Sequence, residues 1–423
     1  MERIKDIIEK KVFETPFIDT HEHLIDESER LDCIKPIISC DDWTLLLSHY
    51  FKFDLISAGM TKKQIDNLFS VQIAPLDKWK ILENYWKYLK NTASGLVFRN
   101  TIKTLYNIED ITENNILELQ NKYIQTRKKG FYKYIIQEKA NIRYCVVHSP
   151  LKAFKESEFP DLLHQDIALN GLIQVSLNSY SILEETEIKS ISDWFSLIDL
   201  WFEKYGQIAK GVKIGIAYFR RLDFKRVQTE NLDEIFLKKI NSQKITITEE
   251  KLLQDYLFWY CVDKATQLNL PVKLHTGQLA MNNIMNMQWI KENPSDCASL
   301  CKQSPKTKFI FFHLSYPHYE EMLSLTKHYS NAYIDMCWSW SINPVAAKDF
   351  LKKFILTAPN NKIFTFGGDD IIVENLVGHS TIARKGIAQA LTELVTEEWI
   401  TLKDALDLVD ILMYKNAENF FGK

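Results

Sequence analysis

The run Phe17-Ile-Asp-Thr-His-Glu-His-Leu places His21 and His23 two residues apart at the end of a short apolar stretch. If that stretch is a β-strand, alternate side chains share a face. Both imidazoles then point the same way and Glu22 points the other way. Two neutral imidazole nitrogens on one face can chelate a divalent metal. Taken alone, such a pair is more often two exposed loop histidines. Three later positions change its meaning. His275 ends Pro271-Val-Lys-Leu-His, His313 ends Phe309-Ile-Phe-Phe-His, and Asp369 follows Phe364-Thr-Phe-Gly-Gly. Each comes at the end of a run that reads as a buried strand. One such histidine is ordinarily a hydrogen-bonded core residue, but four histidines and an aspartate at strand ends are hard to assign to packing.

The elements that must position these groups are short apolar, β-branched or aromatic runs at 17–21, 142–147, 172–177, 211–216, 272–275, 309–313, 332–336 and 363–366. They read as buried parallel strands. Amphipathic helical patterns separate them, at 191–205, 249–268, 319–329 and 346–356, and the tail 378–421 reads as further helices, with Thr396 and Thr401 placed as N-caps. Strand–helix alternation repeated eight times predicts an α/β fold of the closed (β/α)8, or TIM, barrel type, whose chemistry sits at the C-terminal strand ends. A doubly wound open sheet is the alternative. Between the first two strands, 24–140 is too long for a bare loop. It reads as helices at 43–51, 62–69, 77–93 and 116–128, a large helical insertion over the barrel mouth. No Pro/Gly/Ser linker interrupts the chain, so one domain is expected across 1–423, with 24–140 inserted in it.

A formal net charge of -3 and a pI near 6.4 argue against nucleic acid as a partner. No run reaches the roughly 18–20 apolar residues of a spanning helix, and residues 1–11 lack the apolar core of a signal peptide. No membrane partner is expected. The seven cysteines are odd in number and none falls in a zinc-ribbon pattern. Cys297 and Cys301 lie one helical turn apart with no second pair following, so reduced thiols and a cytoplasmic location are expected.

The order His-x-His, His, His, Asp on strands one, five, six and eight resembles the amidohydrolase superfamily. Gly367-Gly-Asp is similar to the Gly-Ser-Asp of its amidohydrolase-related branch, as are Gly211-Val-Lys-Ile-Gly-Ile-Ala-Tyr and Ala332-Tyr-Ile-Asp-Met to that branch's strands four and seven. The long insertion, with Trp338 and Trp340, resembles the uronate isomerase-like members. The likeness covers the barrel and not the inserted helices. It implies one divalent metal, zinc before manganese or iron, held by His21, His23, His275 and Asp369, with Asp369 preferred to Asp370. His313 would lie beside it as a base or hydrogen-bond donor. Binuclear relatives add a carbamylated lysine on strand four. Lys213 is on that strand, but Gly215 and Ala217 follow it on the same side, which places it deeper.

Three imidazoles and a carboxylate leave room for water, whose pKa falls to roughly 7 on such a metal. Asp369 and His313 are then expected to handle its proton during hydrolysis of an amide, lactone or ester. Arg220 and Arg221 could clamp a substrate carboxylate, or could be surface charges. Tyr218, His148, Gln278 and Trp338 are further mouth candidates, whereas His49, His164, His318, His328 and His379 read as structural or solvated. The same ligands would serve a uronate isomerase or a decarboxylase. A non-catalytic scaffold is disfavoured, because buried histidines cost stability unless hydrogen-bonded. The expected partner is a small-molecule substrate, with a homo-oligomer expected by analogy.

Overall fold

The computed structural model describes residues 2–33, 40–149, 152–177, 187–228 and 231–422, so 34–39 of the inserted segment lie outside the described residues. The strands are β1 (Phe17–Glu22), β2 (Ile142–Val147), β3 (Leu163–Gln165, resuming after Asp166 as Ile167–Ala168), β4 (Val212–Ile214), β5 (Val272–His275), β6 (Phe309–Phe312), β7 (Ala332–Asp335) and β8 (Ile363–Phe364). All pair in parallel with the next strand in the chain. The two pieces of β3 join one half of the sheet to the other. Asp166 N donates to Val147 O at 2.9 Å, and Ile167 N donates to Gly211 O at 3.0 Å. The last strand returns to the first through Thr20 N to Phe366 O at 3.1 Å, Asp369 N to His21 O at 3.0 Å and His23 N to Asp370 O at 3.0 Å. The fold is a (β/α)8 barrel.

Seven of the expected runs form strands, and 172–177 does not. Leu172 and Ile173 are buried on the short helix Asn170–Gln174, and Val175 then takes a left-handed turn at φ 55°. The third strand lies earlier, in Leu-His-Gln-Asp-Ile-Ala, where polar residues break the apolar signature. Those polar residues are affordable because Asp166 meets Lys273 from β5 at 2.7 Å, with both side chains fully buried. Lys273 Nζ also donates to Thr20 O at 3.2 Å, which ties β1, β3 and β5 together inside the barrel. Lys273→Met is expected to leave Asp166 charged and unpaired and to cost about 3–5 kcal/mol. The double replacement Lys273→Met with Asp166→Leu is expected to recover most of that loss, read from denaturant midpoints.

The outer helices follow the predicted stripes. Helix α1 (Ile191–Tyr205) buries Ile191, Trp194, Leu197, Ile198, Trp201 and Phe202 at three- and four-residue spacing, and Ser190 and Asp193 form its capping box. Thr401 caps Leu402–Asp410 in the same way, with Asp404 as its partner. Thr396 is instead the last residue of helix Asn375–Thr396, because its hydroxyl is spent on Thr392 O one turn back.

Between β1 and β2 the described chain is helical: Tyr50–Ser57, Lys62–Leu68, Pro75–Leu89, Ala93–Tyr106 and Ile116–Thr126 are its longer pieces. The expected helix 77–93 is two helices, separated at Thr92, which caps the second. These helices share a hydrophobic cluster of their own around Trp43, Phe51, Leu82, Trp86 and Phe98. They meet the rest of the fold where Ala93–Tyr106 crosses Asn375–Thr396. A Cβ on Gly378 would lie 2.1 Å from Val97 O, so only glycine permits that approach.

Candidate metal centre

His21 near the end of β1 and His23 just past it reach one atom. His21 Nε2 and His23 Nε2 each lie 3.2 Å from Asp369 Oδ1. The strand alternation read from the sequence produces this geometry, and Glu22 does point elsewhere. Its carboxylate accepts from Gly368 N at 2.8 Å and Asp370 N at 2.7 Å and so fixes the loop that carries Asp369. A Cβ on Gly368 would meet Glu22 Oε1 at 2.2 Å. Asp369 itself sits at φ 59°, an unusual backbone conformation of the kind concentrated at functional sites.

Backbone carbonyls set the tautomers. His23 Nδ1 lies 3.1 Å from His148 O, so it carries the proton and Nε2 is left as a lone pair facing a carboxylate oxygen. His313 Nδ1 donates to Cys337 O at 2.7 Å, which leaves Nε2 as a lone pair. His275 Nε2 donates to Gln278 O at 2.9 Å, which leaves Nδ1 as a lone pair. His313 Nε2 and His275 Nδ1 then face each other at 3.1 Å. Burial lowers both histidines, His313 to about 4, so neither ring is charged near neutrality. Burial, followed by the charge of Lys213, lowers His21 well below its ordinary value, and burial then the neighbouring His23 do the same to His148. Lone pairs pointed at one another and at a carboxylate require a cation or a proton between them. Both ring nitrogens of His21 are buried without a hydrogen-bond partner, which is the same signature. The donor set therefore fits a divalent metal with nitrogen and oxygen ligands.

Among the described residues, two groups have ligand atoms within 4.8 Å of one another: His21, His23 and His148, and His313, Cys337 and Asp369. His275 belongs to neither and approaches the second through His313. Cys337 was not singled out from the sequence. Burial, then Asp369, raises its thiol, so it is a neutral neighbour. Lys213 pairs in register with Lys273, two residues short of His275, and burial lowers its amine to about 8.

Tyr50 was also missed. It arrives from the helix Tyr50–Ser57, and its hydroxyl donates to Asp369 Oδ2 at 2.5 Å and Asp369 O at 2.6 Å. Burial and the adjacent carboxylate raise its phenol well above 10, so it holds its proton at neutral pH. Its ring stacks on Trp338 at 4.4 Å, and Trp338 stands edge-on to His313 at 5.3 Å. Tyr218 packs against His275 at 4.7 Å, and its hydroxyl accepts from Ala280 N at 3.2 Å.

The two arginines lie differently. Arg220 Nη2 bonds Asp255 at 2.7 Å and Asp223 at 3.2 Å, and Arg221 grips Asp296 through Nε and Nη2. None of these partners belongs to the histidine cluster. The guanidiniums pair with carboxylates on the following helices. Arg220→Ala is expected to leave buried Asp255 with Lys251 as its remaining cation and the Lys225 N–H as a second donor. It should lower stability by about 1–3 kcal/mol with KM unchanged, as read by thermal melts and steady-state kinetics.

A family model described as amidohydrolase matches residues 239–423. No curated protein matches the chain. Among solved structures, a uronate isomerase from Thermotoga maritima is similar at TM-score 0.78 and 12% identity, covering 99% of this chain and 97% of its own. A glucuronate isomerase from Caulobacter crescentus is similar at TM-score 0.78 and 13% identity, covering 99% and 94%. A protein from Lactobacillus casei described as a metal-dependent hydrolase is similar at TM-score 0.63 and 14% identity, covering 98% and 97%. The helices between β1 and β2 are thus part of the shared fold. The strand-end histidines and Asp369 gather at one end of a barrel whose residues 239–423, somewhat under half of the chain, match the amidohydrolase family model, and whose fold along the chain is similar to that of the uronate isomerases.

Proposed function

We propose that this enzyme is a metal-dependent aldose–ketose isomerase of the uronate isomerase type. The observation that carries the reading is the contact of Tyr50 with Asp369, made by the helical segment that the uronate isomerases share. His21, His23 and Asp369 would hold the metal, with the open nitrogens of His275 and His313 turned toward the same place. Zinc suits these donors, as do manganese and iron. When bound, the metal polarises a carbonyl and its neighbouring hydroxyl.

Aldose–ketose conversion moves a proton from the hydroxyl-bearing carbon to the adjacent carbonyl carbon and consumes no water. A site whose groups are closed off from solvent suits such a transfer: His21 and His313 are fully buried and Asp369 nearly so. Asp369 Oδ2 and Tyr50 Oη form a linked acceptor and donor. The carboxylate can take a proton from carbon while the phenol supplies one to oxygen. His313 Nε2, neutral with its lone pair free, is a second acceptor beside them.

A hydrolase acting on an amide, lactone or ester is the second reading, favoured by the family match over 239–423 and by His313, which could equally take a proton from water. The experiment offers metal-loaded protein glucuronate, galacturonate and the corresponding uncharged aldoses in deuterated water. Ketose formation with deuterium at the former carbonyl carbon supports the isomerase. Carboxylate release from a lactone or amide panel, with neither ketose nor exchange, would replace it with the hydrolase.

A further inference from the structure

A cavity of about 340 Å³ opens beside Tyr50 and Trp338, the two rings that touch the candidate centre. One wall is the helix Tyr50–Ser57, on which Tyr50, Asp54 and Ser57 stand at four- and three-residue spacing and so share a face. The loops after β5 and β7 supply Gln278, Asn282 and Ser341. Its size suits a sugar-sized ligand.

The polar atoms of this wall can be assigned. Asn282 Nδ2 donates to Phe53 O at 3.1 Å and Ser57 Oγ at 2.9 Å, which spends both amide hydrogens. Its Oδ1 is left buried with no hydrogen-bond partner. His379 Nε2 lies 3.2 Å from Asp370 Oδ2 and must carry the proton, because a carboxylate only accepts. His379 Nδ1 is then a lone pair, and Ser341 Oγ donates to it at 2.5 Å. The serine oxygen therefore keeps its acceptor side free. Asp54 adds a carboxylate, which Thr92 Oγ1 reaches at 3.5 Å. The donors at the wall are neutral, the buried indole N–H of Trp338 among them without a partner. Among the described residues that line the cavity, none is a lysine or arginine.

We propose that this cavity binds an uncharged, hydroxyl-bearing part of the substrate, and that Asp54 and Ser341 select hydroxyl groups there and turn a carboxylate away. The inference rests on the aldose–ketose isomerase reading and turns it away from a uronate substrate: the end of the substrate remote from its carbonyl is a polyol, not an acid. Acceptors without a counter-cation pair with hydroxyl hydrogens, whereas a second carboxylate meets like charge and finds no ammonium or guanidinium to offset it.

The test is equilibrium binding by calorimetry to metal-loaded protein, with sorbitol as the neutral probe and glucarate as the acid probe. Wild type is expected to bind sorbitol on the order of tenfold more tightly than glucarate, and Asp54→Asn to shrink that ratio by about the same factor. Ser341→Ala is expected to weaken sorbitol several-fold and glucarate less, which provides a second reading if Asp54→Asn does not fold. Glucarate binding as tightly as sorbitol in wild type, or a ratio that neither replacement moves, overturns the proposal. Because no turnover is required, sorbitol selectivity without any ketose formation would sink the isomerase reading and leave the subsite standing.

Discussion

Asp369→Asn is expected to lower kcat/KM by roughly 10³- to 10⁴-fold and to strip the protein of metal while the fold survives. The reasoning starts from hydrogens. Asparagine has the same shape, so its oxygen can still accept from Tyr50 Oη. Its amide N–H, placed where Asp369 Oδ1 now lies 3.2 Å from His23 Nε2, can donate to that nitrogen's lone pair. That lone pair is then satisfied by a hydrogen bond instead of a cation, while those of His275 and His313 still face each other. Without metal, the variant should therefore melt no lower than wild type. The checks are metal content by mass spectrometry, melting temperature with and without chelator, and turnover. A variant that keeps about one metal per chain and near-wild-type kcat would remove Asp369 from the ligand set.

Tyr50→Phe separates proton transfer from metal binding. It removes one hydroxyl and keeps the ring that stacks on Trp338 at 4.4 Å. Metal content should be unchanged, and kcat should fall by about 10²- to 10⁴-fold, the range of a lost acid or base. Substrate-derived exchange of the carbon-bound proton should fall with it. A loss of kcat with exchange intact would place Tyr50 on the oxygen proton alone. A kcat within a few-fold of wild type would reduce Tyr50 to a prop for Asp369.

The barrel and half of this centre were legible in the sequence because they depend on short-range geometry. His21 and His23 are two residues apart, and a strand repeats every two residues, so their convergence on one atom follows from local conformation. His313 and Asp369 follow apolar runs whose ends the barrel must gather at one rim. Tyr50 had no such marker. It lies 319 residues from Asp369 on a helix whose apolar residues look like ordinary packing. Arg220 and Arg221 stayed open between substrate clamp and surface charge, because a cation after a strand looks the same whether it waits for substrate or for a carboxylate on the next helix. Their pairing with Asp255 and Asp296 is visible only in the folded chain, which brings these residues near. The third strand was hidden for a related reason: Asp166 reads as a break until Lys273 is seen beside it.

The crossing at Gly378 imposes an order on synthesis. The face of Ala93–Tyr106 that contains Val97 has its covering surface in Asn375–Thr396, some 280 residues downstream. At about 5–20 residues per second, a ribosome delivers that surface roughly 14–56 s after Val97. The inserted helices can gather around their own cluster in the meantime, but they cannot dock, and Tyr50 cannot be seated on Asp369 until the chain that carries both partners has emerged. The centre is thus assembled only after Asp369 and the helix Asn375–Thr396 have both been made.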